Sequence, residues 1–431
     1  MKKIYLFIAG SMFFLTSVAQ TNSNCGNVRF HDYIFPATPT VTSNVVYGNN
    51  LSYTGAATPL KLDVYQPVGD VATNRPLIII AHGGSFYTGT KTGSDVVPYA
   101  NAFAKMGYVV ASIDYRLGMT NFIGGAHILD STDAAAAVVR GTHDGRAAVR
   151  FFRKNAKESG NTYNIDTNNI FFMGSSAGAL IALHLAYMDQ LSEFPPYIDT
   201  TGVTVGSLTG QLGMKGGIEG LSGNPGYSSK VKAIVDIAGA IADTAWMHTG
   251  DTPVASFHYT TDNTVPYSTA YIYVIGYQMQ KVCGSSSVAA KATQEGITHC
   301  FHPFYGTGHV PGGAYADTTL VISRNFLEHF TCGTALACNY TTALGVNEIA
   351  ADADFSIYPN PASTATKIDL ISFVGHSVTI ELYDVLGRKL RNNSNIKSEQ
   401  FVISRDNLPS GIYFVNVVSE GKVFSKKIIF E

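Results

Sequence analysis

Ile170-Phe171-Phe172-Met173-Gly174-Ser175-Ser176-Ala177-Gly178-Ala179-Leu180-Ile181-Ala182-Leu183 decides how this chain is read. A short apolar run ends in Gly-Ser-Ser-Ala-Gly, and a second apolar run with helical spacing begins at once. Gly-x-Ser-x-Gly between a strand and a helix is the setting of a nucleophile elbow. The flanking glycines allow a sharp turn and a close strand–helix approach. Ser176 then presents its hydroxyl at the carboxyl edge of the sheet, above a helix N-terminus that favours an oxyanion. The plainer alternative is a Gly/Ser turn in which serine only caps the helix.

Working outward, His82-Gly83-Gly84-Ser85-Phe86 follows the apolar run Leu77–Ala81. Consecutive glycines leave backbone N–H groups unobstructed, as an oxyanion site requires. Gly83, Gly84 and the amide of Ala177 are the expected donors, and His82 is expected to brace the loop. An acid and a base are sought downstream, in the order Ser, Asp, His. Asp262 lies just past the run Val254–His258, ahead of Asp236, Asp243 and Asp251 as the carboxylate. His309, in the loop Gly306–Pro311, is preferred to His299 and His302, which sit within a strand. Phe86, Tyr87 and the single tryptophan, Trp246, are candidate walls of a substrate pocket.

From Asn27 to His329, short apolar runs alternate with helical patterns, which predicts an α/β domain with a mainly parallel sheet. Strands are expected at 77–81, 109–113, 170–173, 233–237 and 254–258, and helices at 134–156, 177–188 and 318–329. The Gly/Ser/Thr/Pro-rich segment Pro195–Ser229 reads as a surface excursion or a partial lid. Residues 345–354 are a linker by composition. From Phe355 the chain turns to short strands, among them 378–383, 411–417 and 427–430, separated by turn signals. The expected division is a leader at 1–20, an α/β catalytic domain at 21–344, the linker, and a small all-β sandwich at 355–431.

The 431 residues are 45% hydrophobic and only 14% charged, with a net charge of −2. That supplies a sizeable core and excludes a basic nucleic-acid binder and a coiled coil. Met1–Gln20 has the two lysines, apolar run and Ser17-Val18-Ala19 site of a secretory signal peptide, and nothing downstream matches a membrane helix. Export admits disulfides. With five cysteines, Cys332–Cys338 is the first pairing expected and Cys283–Cys300 the second. His299-Cys300-x-His302 is the one His/Cys cluster. Strand packing accounts for it, and no metal or cofactor is expected.

Two resemblances sharpen these expectations. His82–Phe86, Asp114-Tyr115-Arg116-Leu117 and Gly174–Gly178, with Asp262 and His309 in order, resemble the α/β-hydrolase carboxylesterases of the hormone-sensitive-lipase-like and bacterial feruloyl-esterase-like groups. The chain departs from them at Ser85, in place of a third glycine, and at Ala179, where many relatives carry another. The resemblance implies acyl transfer to Ser176 through a Ser-His-Asp triad, with Asp114 and Arg116 in a structural network. A serine peptidase or amidase, and a non-catalytic binding module, are the alternatives. Tyr358-Pro359-Asn360-Pro361, Tyr383–Arg388, Leu408–Tyr413 and the Lys-rich last strand resemble the sorting domain of the Bacteroidetes type IX secretion system. It implies passage through that machinery to the surface or the medium. A generic carbohydrate-binding sandwich is the alternative.

Overall fold

The computed structural model describes residues 22–26, 28–119, 131–200, 212–274, 277–312, 314–339, 355–385, 388–419 and 422–431. The leader 1–20 and the linker 345–354 lie outside them. The chain divides into two compact units, Met1–Tyr340 and Thr341–Glu431.

The elements of the first unit are β1 (Thr40–Leu51), β2 (Ala57–Gln66), β3 (Arg75–Ala81), α1 (Val97–Lys105), β4 (Val109–Ile113), α2 (Ser131–Glu158), β5 (Ile165–Ser175), α3 (Ala177–Tyr187), β6 (Ala233–Ile237), β7 (Ala240–Ile241), β8 (Val254–Thr261), β9 (Thr269–Val274), β10 (Tyr277–Gly284), α4 (Ser285–Glu295), β11 (His299–Thr307) and α5 (Ala314–Cys332). Eight strands form one sheet in the order β1-β2-β4-β3-β5-β6-β8-β11. The first two pairings, β1–β2 and β2–β4, are antiparallel and the remaining five are parallel. This is the α/β-hydrolase fold. β7, β10 and β9 make a separate three-stranded sheet.

The central strands are unbroken apolar runs because both faces are covered. On β3, Leu77, Ile79 and Ala81 join one core cluster, while Ile78 and Ile80 join the other. β5 divides in the same way, with Ile170 and Phe172 on one side and Phe171 and Met173 on the opposite one. α3 is buried at every position but Ala186, as a sequence apolar at all positions except His184 and the Tyr187 hydroxyl requires.

α2 is different: Arg140, His143, Asp144, Arg146 and Arg150 are all buried. Arg116 and Asp144 form a fully buried ion pair. Arg116 also donates to Leu51 O and Gly213 O, Arg146 to Ile218 O, and Arg150 to Glu219 O and Gly223 O. Of the irregular excursion after Pro195, the described stretch 212–229 is thus tied to α2 through its carbonyls.

The expected cysteine pairings are corrected. The bonds are Cys25–Cys332 and Cys300–Cys338, and Cys283 is free and buried. The amino-terminal segment docks on the end of α5, where Asn22 N donates to Thr331 O, and this brings Cys25 to Cys332. The chain after α5 then returns to β11, which brings Cys338 to Cys300. Cys283 lies on β10 in the small sheet, away from both.

The named strands of the second unit all pair antiparallel, and one isolated parallel bridge joins Ala362 to Phe430. β12 (Ser356–Tyr358), β13 (Ala365–Asp369) and β16 (Gln400–Ser404) form one sheet. β15 (Lys389–Ile396), β14 (Val378–Asp384), β17 (Gly411–Ser419) and β18 (Lys422–Phe430) form the other. Their alternating inward residues, including Ile368, Ile380, Leu382, Val415, Val417 and Ile428, make its own core.

Two buried histidines give the first unit an acid limit. Burial, with Arg116 and Arg146 nearby, pushes His143 down to about 3, and burial pushes His184 down to about 4. Both rings stay neutral when folded, whereas in the unfolded chain they protonate near 6.5. Their stabilisation is complete above that pH and is lost as pH falls toward the folded values. Denaturant unfolding followed from pH 7 to 4 should lose stability with a slope approaching about 2.7 kcal/mol per pH unit, two protons' worth. A His143→Gln variant should show roughly half that slope. A profile flat across this window contradicts the burial.

Candidate active site

The β5–α3 junction is as sharp as the sequence implies. Ser176 sits at φ 50°, ψ −114°, outside the ordinary regions, and its amide donates to Ile237 O at 2.8 Å. The glycines that permit this are packed against backbone. A Cβ on Gly174 would lie 2.0 Å from Gly178 O, and one on Gly178 would lie 2.1 Å from Ala81 O.

Three residues scattered along the chain converge here. Ser176 Oγ is 2.7 Å from His309 Nε2, and His309 Nδ1 is 2.6 Å from Asp262 Oδ2. His309 comes from the loop between β11 and α5, and Asp262 from the turn after β8. The other carboxylate oxygen, Oδ1, accepts from the amides of Thr264 and Val265 at 2.8 and 3.1 Å. Burial opposes the charge on Asp262, but the hydrogen bonds of His258 and His309 outweigh it and hold the acid at about 2.

Behind the carboxylate lies a line of buried groups, of which only Asp236 was a candidate from the sequence. His258 Nε2 is 3.2 Å from Asp262 Oδ2 and 3.0 Å from Val265 O. Its Nδ1 is 2.7 Å from Ser285 Oγ, and Ser285 Oγ is 2.7 Å from Asp236 Oδ2. Asp236, raised by burial, therefore reaches the site only through Ser285 and His258. The spacing His258-x-x-x-Asp262 at a strand end was the available signal. The other rivals have local partners. Asp243 accepts from Ala245 N and Asp251 from His248 N; His299 Nδ1 pairs with Ile297 O, and His302 packs on Phe304. Cys300 is committed to its disulfide.

The donor assignment to Gly83 is corrected, because its amide already donates to Asp95 Oδ2 at 2.7 Å. Past it, Gly84, Ser85 and Phe86 all have positive φ, at 112°, 53° and 56°. At Gly84 only glycine fits, since a Cβ would lie 2.1 Å from Thr88 O. Among the described residues, nothing accepts from the amides of Gly84, Ser85 or Ala177. His82 braces the loop as expected: Nδ1 pairs with Gly83 O, and the ring stacks on Tyr115 at 4.4 Å. Asp114 and Arg116 serve structure, Asp114 accepting from Lys91 N and Tyr47 Oη.

An apolar cavity opens at Ser176, lined by Phe86 and Trp246 but not by Tyr87, whose side chain is exposed. The pocket expectation for Tyr87 is therefore corrected: the positive-φ turn at 84–86 carries it outward. One face of α3, at Ala177, Leu180 and His184 and on to Met188, forms a wall.

Residues 62–252 match the family model BD-FAE, and residues 356–431 match the Secretion system C-terminal sorting domain. Among curated proteins, fumonisin B1 esterase of Sphingopyxis macrogoltabida is 31% identical over 136 residues, 31% of this chain and 24% of that protein. Mouse carboxylesterase 3B is 33% identical over 128 residues, 29% of this chain and 20% of that protein. The chain thus spans about a quarter or less of the length of these relatives. Among solved structures, the apo form of Thermogutta terrifontis esterase 2 is 20% identical, covering 69% of this chain and 97% of that one, with a TM-score of 0.45. Among the described residues no helix is long and apolar enough to cross a membrane. The chain thus carries a BD-FAE domain of α/β-hydrolase fold and, at 356–431, a sorting domain that addresses it to type IX export, to the cell surface or beyond.

Proposed function

We propose that this protein is an exported serine carboxylesterase, with a signal peptide at 1–20, a catalytic domain at 21–344, a linker at 345–354 and the sorting domain at 355–431. One observation carries the reading: the hydrogen-bonded line from Ser176 through His309 to Asp262 at the mouth of an apolar cavity. His309 Nε2 takes the Ser176 proton as Oγ attacks the ester carbonyl. The oxyanion is held by the amides of Gly84, Ser85 and Ala177, each worth about 3 kcal/mol of barrier. His309 then protonates the departing alcohol, and a water activated by the same ring releases the acid. Asp262 stays ionised throughout the working range.

Short-chain 4-nitrophenyl esters and a fluorophosphonate probe test this directly. Turnover and labelling should both disappear in Ser176→Ala, and Asp262→Asn should lose about 10⁴-fold in kcat with the fold intact. Activity confined to peptide anilides would instead make the protein an amidase or peptidase. Absence of both turnover and labelling would leave a binding module.

His258 is a positioning residue in this scheme, because it donates to the same Asp262 oxygen that serves His309. Without that donor the carboxylate holds the imidazolium more tightly. His258→Leu should lower kcat about 10- to 100-fold with KM little changed, and should move the acid limb of kcat/KM to higher pH. His258→Gln should restore part of both. An unmoved limb in His258→Leu would reduce the residue to a packing role.

A further inference from the structure

α3 carries the cavity wall away from Ser176, and two turns along it stands His184. Eight residues of helix put its Cα about 12 Å along the axis from that of Ser176, and its side chain leans back toward the serine, as the bond to Leu180 O shows. The residue is 5% exposed, borders the cavity and packs edge-on against Trp246, at 5.7 Å between ring centroids. Its Nδ1 is 2.7 Å from the carbonyl of Leu180. A carbonyl only accepts, so Nδ1 carries the hydrogen. Burial pushes the ring down to about 4, so it is neutral in the working range and Nε2 is left with a lone pair. Among the described residues nothing donates to that nitrogen. A bare acceptor two turns down an apolar wall is a poor design for burying hydrocarbon alone, and a suitable one for a hydrogen-bond donor delivered at that depth.

We propose that His184 Nε2 is the distal recognition point of the cavity, and that the substrate is an ester with one apolar arm ending in a hydroxyl or N–H donor. This rests on the esterase reading of Ser176 and adds to it the class of substrate. Allowing about 3 Å for the hydrogen bond, the arm spans at most roughly 9 Å, an extended chain of up to about seven methylene groups or a rigid equivalent. A methyl-ended arm of that length leaves the acceptor unpaired, whereas a hydroxyl satisfies both partners.

Two matched substrate pairs test this, one for each arm of the ester. They are the 4-nitrophenyl esters of 8-hydroxyoctanoate and octanoate, and the monoacetate of hexane-1,6-diol against hexyl acetate. In the wild type the hydroxyl-ended member of at least one pair should have the higher kcat/KM, by about tenfold. His184→Phe should abolish or invert that ratio, and His184→Gln, which keeps an acceptor, should retain part of it. Because each ratio is taken within one protein, differences in folded yield cancel, and the wild-type ratio stands without any variant. 4-Nitrophenyl acetate, too short to reach His184, separates the two levels. If the acetate is turned over but neither pair discriminates, or the ratio survives His184→Phe, the inference is wrong and the esterase reading stands. If the acetate is not turned over, both fall.

Discussion

The close approach of three backbones at Ala81, Gly174 and Gly178 is the constraint from which the site follows. Any side chain at Gly174 or Gly178 would enter the neighbouring peptide at about 2 Å. α3 can therefore start directly against β3 and β5, and the one residue between strand and helix must take the unusual φ of Ser176. Such a conformation costs on the order of 1–3 kcal/mol, and the surroundings hold it there. The amide of Ser176 is bonded to Ile237 O, and the helix that follows is buried almost completely. The same approach sets the loop after β3 beside the serine, so that Ser85, Phe86, Ser176 and Ala177 share one cavity. Ala179 fits this packing because its partner is glycine: a Cβ on Gly239 would lie 2.6 Å from the Ala179 methyl.

Electrostatically the site is organised around one retained charge. Asp262 places one oxygen on two backbone amides and the other on His309 and His258. His258 Nε2 faces only acceptors and must carry a hydrogen. The remaining line, Nδ1 to Ser285 Oγ to Asp236 Oδ2, is then satisfied in two ways. Either a neutral Asp236 donates to Ser285, which donates to a neutral ring, or the charged ring donates to Ser285, which donates to the carboxylate. Asp236 and His258 together are neutral in both arrangements. Asp262 is thus the net charge of this buried group of three, and it stands opposite the ring that becomes positive during acyl transfer.

Local patterning carried the central strands, the β5–α3 junction and the three residues that meet there, because Ser176 and Asp262 follow apolar runs and His309 lies in a Gly-rich loop. Val109–Ile113 and Ala233–Ile237 are bounded as the pattern implies. Where burial is one-sided or tertiary, the pattern is silent. β1 is mostly exposed and reads as polar loop, and α4, Ser285–Glu295, lacks a continuous apolar stripe. The Gly-Gly motif marked where amides cluster, but not which one is already used. That depends on Asp95, twelve residues on, folding back to Gly83. Likewise, cysteine spacing favoured neighbours in sequence, whereas the end of α5 meets the amino-terminal segment instead.

The irregular excursion is built on another principle. Pro195, at its start, lines the cavity, and the described stretch from 212 to 229 has almost no secondary structure of its own. Buried backbone without a ladder must find donors elsewhere. Here guanidinium groups supply them: Arg116, Arg146 and Arg150 deliver N–H groups to carbonyls between Gly213 and Gly223. Each is itself buried at a cost that these bonds, and the Asp144 and Glu219 carboxylates, offset. A helix whose polar side faces inward, together with Arg116 from the segment after β4, thus replaces a sheet edge as the anchor for this loop. Such a loop can change in sequence without disturbing the ladder of the central sheet or the geometry of Ser176, His309 and Asp262.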